Sequence, residues 1–434
     1  MMYPSLLPSL SIPVERRAVW LRRTVALLGL LLIAATWPLW TPGQVFPQVP
    51  LIAARWLPGE WAEWLVTGLL VVACLAMLVL PAGRFAHLAC GAAASGFALA
   101  MLFDQARMQP WAYQFLLFAF LLGTCGPRAA VALARLLIIA FYFESALTKL
   151  DSSFFHTLGQ QFLSALAGLF GASLDDWNPS ARLAAAAVFP IGEMLVAIGL
   201  VFHGTRTVAL AAAVLLHVTL LVILGPWGLS HQPGVLLWNA YFIVQNFVLF
   251  WPDEARAREP GESVLAVRGT PWPVLAVVFA VVILPLTEPW GLFDVWPSWG
   301  LYASSAERVS LQVHSVARSQ VPEHLVPFLE VPFDEHDPWL TVRLDHWALA
   351  AHRAPIYPQA RAQLGVAIAV ADGMGLAERA RFIRFSRANR WTGEREMVIY
   401  DGVPEARTAA KRFFLNALPR GPRSTSRHMP HHDP

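Results

Sequence analysis

In the stretch FYFESALTKLDSSFF, residues 141–155, the end of an apolar run carries Glu144, Lys149 and Asp151. An amine enclosed among apolar side chains can serve as a general base. Charged groups at membrane depth are costly enough to be functional candidates by default. Glu144 and Lys149 are five positions apart, about 140° around a helix, so a direct intrahelical pair is poor. Each is expected to reach a different neighbour across a bundle. The plain alternative for Lys149 is a side chain snorkelling to the interface.

Other polar residues stand in equally apolar surroundings. Glu193 falls mid-run in FPIGEMLVAIG, where snorkelling is not available, and His217 in AVLLHVTLLV. A proton relay or ligand contact is one reading of each, and a satisfied packing residue the other. Asn239, Gln245 and Asn246 have the character of interhelical hydrogen-bond glue. His231 lies in GPWGLSHQPG, a re-entrant or interfacial loop candidate. In FDQARMQPWAYQ, Asp104 and Arg107 are three apart and are expected to pair with each other; the alternative is a polar rim over a ligand cavity. No metal-ligand spacing is present outside the tail histidines.

These residues need a membrane to make sense. The 434 residues are 56% hydrophobic and 14% charged, the composition of a polytopic membrane protein. The net charge of +3, spread along the chain, gives no sign of nucleic-acid binding. Three cysteines, Cys74, Cys90 and Cys125, sit in or beside apolar runs without a CxxC, which argues against a disulfide framework or dithiol centre. About 20 apolar residues cross a bilayer core. On that measure there are nine spans, near 18–40, 62–82, 85–103, 110–126, 128–150, 181–203, 206–226, 233–251 and 272–291. The first reads as a retained signal-anchor helix.

Arg16, Arg17, Arg22, Arg23, Arg84, Arg128, Arg206, Arg256, Arg258 and Arg268 fall on one side of this series, against Arg55, Arg107, Lys149 and Arg182 on the other. The positive-inside rule then places the N-terminal segment 1–17 in the cytoplasm and everything after the ninth span outside it. The expected fold is mainly α: a transmembrane bundle over 18–291, a small extracytoplasmic α+β domain over 292–415, and a disordered polar tail over 416–434. RVSLQVHSV and WLTVRLDHWAL alternate as strands do, RARFIRFSR and EREMVIYDG read as a strand pair, and PIYPQARAQLGVAIAVAD becomes a short helix or buried strand.

FESALTKLDSSF resembles the Lys-Leu-Asp helix end of the membrane family that holds vitamin K-dependent γ-carboxylase and the bacterial HTTM-domain proteins. LLHVTLLVILGPWGLSHQPGVLLWN is similar to that family's His-bearing helix, glycine loop and following helix. The two blocks agree in order and cover about 128–251. The resemblance implies a base role toward vitamin K hydroquinone for Lys149, and it places Asp151 and His217 at motif positions. Glu144 and Thr148 stand where small or basic residues are usual, and the C-terminal part is much shorter than the carboxylase's, which speaks against protein γ-carboxylation. A weaker resemblance links the Lys-Leu helix end and IGEMLVAIGL to DoxX-like and MauE-like redox-associated membrane proteins. Both imply a quinone or quinol as the lipid-soluble ligand.

The leading expectation is a bacterial inner-membrane protein with a cavity lined by Lys149, Glu144, His217 and Glu193, surrounded by membrane lipid. A non-enzymatic scaffold is the alternative, its outer domain binding an extracytoplasmic protein through the aromatic DPWLTVRLDHWALAAHRAPIYPQ. A transporter is less favoured, for want of inverted repeats or paired broken helices.

Overall fold

The computed structural model describes residues 12–251 and 267–420. Arg256, Arg258 and the tail from 421, with its histidines, lie outside the described residues. In chain order the helices are α1 (Val14–Ala35), α2 (Trp37–Trp40), α3 (Glu60–Val79), α4 (Arg84–Phe103), α5 (Pro110–Thr124), α6 (Pro127–Lys149), α7 (Ser152–His156), α8 (Leu158–Gly168), α9 (Pro179–Ala186), α10 (Val188–Val201), α11 (Arg206–Leu224), α12 (Pro233–Phe250) and α13 (Trp272–Ile283). Among the described residues, eight stretches are long and apolar enough to cross a membrane, including α9 and α10 taken together as Pro179–Val201. Leu65, Val72, Phe85, Leu195 and Val208 are exposed on their outer faces, the apolar coat of a multi-pass membrane protein.

Each expected span coincides with helix. The α9–α10 stretch is interrupted at Ala187, and Pro190 supplies the reason: it has no N–H to give the Ala186 carbonyl four residues back. α5 is only 15 residues long but is buried along most of its length. It is pressed against α4 where both helices carry glycine. A Cβ on Gly123 would stand 2.9 Å from the Gly91 nitrogen, so small residues let the two backbones touch.

The connection between α2 and α3, the turn between α4 and α5, and the chain after α13 meet at one end of the bundle. There the Leu51 amide bonds to Leu102 O at 3.1 Å, and Gln105 Nε2 donates to Pro50 O at 3.0 Å and Asn416 O at 2.8 Å.

On this end stands the C-terminal α+β unit. Its strands, β1 (Arg308–His314), β2 (Leu329–Glu330), β3 (Trp339–Val342), β4 (Ala380–Phe385) and β5 (Met397–Asp401), form one antiparallel sheet in the order β2-β3-β1-β4-β5. The expected strand pair is present as β4 and β5, with Ile383 opposite Ile399. Alternation along β1 turns Val309, Leu311 and Val313 inward, against α14 (Leu344–His352), α15 (Ala360–Gly373) and α16 (Gly402–Ala410). Phe46, from the α2–α3 connection, enters the same core with its ring 4.6 Å from that of Trp347.

Two expectations are corrected. LDHWAL is helix rather than strand: its buried residues Leu344, Trp347 and Ala348 follow a helical spacing, and the alternation ends at Val342. Within the aromatic segment read as a docking face, Trp347 and Tyr357 are buried and Trp339 is half-buried. Residues 416–420, assigned to the tail, are held in place: Asn416 Nδ2 donates to Pro50 O at 2.8 Å, and Arg420 pairs with Glu63. The 355–372 segment resolves as a loop followed by the helix α15.

His352 closes α14, buried and 4.6 Å from the Phe46 ring, and burial lowers its pKa from 6.5 to about 3. A depressed histidine stabilises the fold fully above its unfolded value, and that contribution is lost as pH falls from 6.5 toward 3, by on the order of 4 kcal/mol. Thermal unfolding of the detergent-solubilised protein should therefore shift downward between pH 7 and pH 4. His352→Leu should flatten that slope; a variant as acid-sensitive as the parent would show that another group is responsible.

Candidate functional site

Tyr142, Ser145 and Lys149 are spaced three and four apart on α6 and so form one stripe of the helix. Lys149 Nζ donates to Ser145 Oγ at 2.6 Å, Ser145 O at 3.0 Å and Glu193 Oε2 of α10 at 2.8 Å. These three contacts occupy every N–H of an ammonium. Lys149 is 3% exposed and Glu193 9%. The amine is thus turned inward, not snorkelling, and the expectation that Lys149 reaches a neighbouring helix is met. Losing one partner of such a pair costs about 3–5 kcal/mol, because the other charge stays buried.

Higher on the same stripe, the Tyr142 hydroxyl lies 2.7 Å from His217 Nε2 of α11 and accepts from Asn246 Nδ2 of α12 at 2.7 Å. His217 Nδ1 is 2.9 Å from Asn239 Oδ1, and Asn239 Nδ2 donates to Val235 O at 2.9 Å. That amide orientation makes Nδ1 the imidazole's donor and leaves Nε2 to accept the tyrosine proton. The imidazole also stacks on Phe242, centroids 4.5 Å apart. Gln245 Oε1 accepts from Gln114 Nε2 at 2.9 Å, and Gln114 Oε1 from Trp238 Nε1 at 2.8 Å. The hydrogen-bond glue expected of Asn239, Gln245 and Asn246 is therefore in place.

Glu144 takes a different face of α6. It is buried, and its Oε2 meets no hydrogen-bond partner among the described residues. Asp151 caps α7, its Oδ1 accepting from the Phe154 amide at 2.6 Å. His231 packs edge-on to Tyr302 at 6.0 Å.

Asp104 and Arg107 do not form the ion pair their spacing led us to expect. Asp104 Oδ1 accepts from the Ala106 amide at 3.1 Å and caps a 3-10 turn, Gln105–Arg107. Arg107 turns inward, with Nη2 2.6 Å from Glu63 Oε2 and Nε donating to Leu39 O at 2.9 Å. Glu63 also receives Gln48 Nε2 at 3.0 Å and Arg420. This group holds the membrane part to the C-terminal unit and stands apart from the Lys149 contacts.

The C-terminal unit covers the end of α6. Arg390 Nε donates to Leu150 O at 2.9 Å and its Nη2 bonds to Leu147 O, while the Ser152 amide reaches Arg390 O at 2.7 Å. Beside it, Arg387 Nη2 lies 2.6 Å from the buried Glu288. Trp299 lies on Phe141, centroids 5.0 Å apart, and Tyr302 on Phe162 at 5.1 Å. Both take positive φ, 56° and 60°, which a bulky side chain rarely adopts. Two strained aromatic residues in one short segment mark where the chain is forced onto the bundle.

Sequence reasoning missed Tyr142, Ser145 and Glu63. The first two were legible from their spacing to Lys149. Glu63 shows no such pattern, since its partners come from distant segments. Comparison with family models, curated proteins and solved structures gives no match for this chain.

Tyr142→Phe strips His217 Nε2 and Asn246 Nδ2 of their shared partner, at about 1–3 kcal/mol per buried group left unsatisfied. In a His217→Leu background the same change should cost clearly less. Equal losses in the two backgrounds, read by thermal unfolding, would mean that hydroxyl and imidazole do not bond.

Proposed function

We propose that this chain is a nine-span inner-membrane protein that binds a quinone-type, lipid-soluble ligand and exchanges a proton with it through Lys149 and Glu193. The observation that carries the reading is the amine itself: shut off from solvent, paired to a carboxylate on another helix, and covered by the C-terminal unit. A proton couple enclosed in an apolar bundle suits a partner that arrives from the lipid. For Lys149 to act as base, its ammonium first passes a proton to Glu193 Oε2. The neutral amine then takes the hydroxyl proton of a quinol, and the ligand anion is left beside the re-formed ammonium. Glu144, whose Oε2 meets no hydrogen-bond partner among the described residues, is the further group available to a ligand's hydroxyl.

The resemblance of the Lys-Leu-Asp helix end to the vitamin K-dependent carboxylase and HTTM-domain family, and more weakly to DoxX-like and MauE-like proteins, supports the same ligand class. The distribution of arginines supports α5 as the ninth span, with a cytoplasmic N-terminus and the C-terminal unit outside. A second reading, an extracytoplasmic scaffold, draws on β5, an edge strand that exposes Met397, Val398 and Ile399.

Extraction in mild detergent followed by mass spectrometry of retained lipids tests the first reading. The parent protein should carry a quinone, and Lys149→Met should lose it while keeping its elution volume and helical content. A parent free of quinone, with a co-purified protein that Val398→Lys releases, would replace this reading by the scaffold.

A further inference from the structure

At the end of the bundle opposite the C-terminal unit, α1, the start of α4 and the turn between α5 and α6 enclose a half-open cavity of about 640 Å³. Arg16, Arg22, Arg23 and His87 line it, against a single carboxylate among the described residues, Glu15. Its remaining wall is largely apolar, with Trp20, Leu122 and Ala130 among the lining residues. Arg22 is 4% exposed. Its Nη2 donates to Leu80 O at 2.6 Å, whereas Nη1 is buried with no acceptor among the described residues. A guanidinium nitrogen left bare in an apolar wall costs free energy unless something occupies the space before it. Gly83 and Pro127, also in the lining, stand at the N-termini of α4 and α6, so two long helices turn their positive ends the same way.

We propose that this cavity is a binding site for one anionic phospholipid of the surrounding leaflet. The phosphodiester would sit between Arg22 Nη1 and the exposed Arg16 and Arg23, with the acyl chains along the apolar wall. A basic cavity between helices, polar at its mouth and greasy inside, matches a charged headgroup with its chains more closely than it matches a soluble anion. The site is independent of Lys149, which lies at the far end of α6.

The test is native mass spectrometry of the full-length protein given equal amounts of phosphatidylglycerol and phosphatidylcholine. The parent should retain one phosphatidylglycerol with about tenfold preference. Arg22→Gln should abolish that preference. Because Arg22 also ties down α3, the exposed pair decides the matter if that variant fails to fold: R16Q/R23Q should lower the preference at least fivefold. R55Q/R182Q, at the opposite end, should leave it unchanged. Equal retention of the two lipids, or an undiminished preference in R16Q/R23Q, would overturn the site. Complete displacement of the lipid by millimolar glycerol 3-phosphate would overturn the lipid assignment in favour of a soluble phosphate.

Discussion

A helix ends with carbonyls that its own backbone cannot satisfy, and near lipid there is little water to take their place. In this protein arginine side chains from elsewhere in the chain supply the missing donors. Arg17 bonds to Val248 O and Trp251 O at the end of α12, and Arg135 bonds to Leu249 O there at 2.6 Å. Arg22 closes α3 at Leu80 O, Arg206 closes α10 at Leu200 O, and Arg390 closes α6. Each contact also places a cation at the negative end of a helix dipole. Arg17, Arg22 and Arg206, which the positive-inside reading counted on one side of the chain, are thus among those that finish its helices and fix which helices are neighbours.

Lys149 obeys the same constraint by other means. It lies in the last turn of α6, where its amine bonds back to Ser145 O, and its remaining donors go to Ser145 Oγ and Glu193. The pairing with Glu193 makes α6 and α10 one unit. The Tyr142–His217–Asn239 series, with Asn246, joins α6 to α11 and α12 through groups that carry no formal charge when the imidazole is neutral. Charge enters the contacts of α6 at the Lys149–Glu193 pair and, nearer its other end, at Arg135, with neutral hydrogen bonds between them.

Much of this was open to reading from the chain itself. Hydropathy located every long helix, because apolar runs in lipid leave the backbone no other choice. Strict alternation found β1, β4 and β5. Alternation failed at Leu344, where a strand passes into a helix without a Pro or Gly to mark the change. The polar partners were harder. Asp104 and Arg107 looked like a pair from spacing alone, but Glu63, 44 positions away, offered Arg107 a fully buried carboxylate. Glu193 was singled out for its depth and Lys149 for its position, yet their pairing depends on which helices pack together. That information is spread over small-residue contacts such as Gly91 with Gly123, not held in any motif.

The closure of α6 by Arg390 also sets an order of assembly. The donor is 240 positions downstream of the carbonyl it satisfies, so a growing chain threads all its apolar helices before this end can be finished. Until then, the last turn of α6, which carries the buried amine, lacks the donors that Arg390 brings to Leu147 O and Leu150 O.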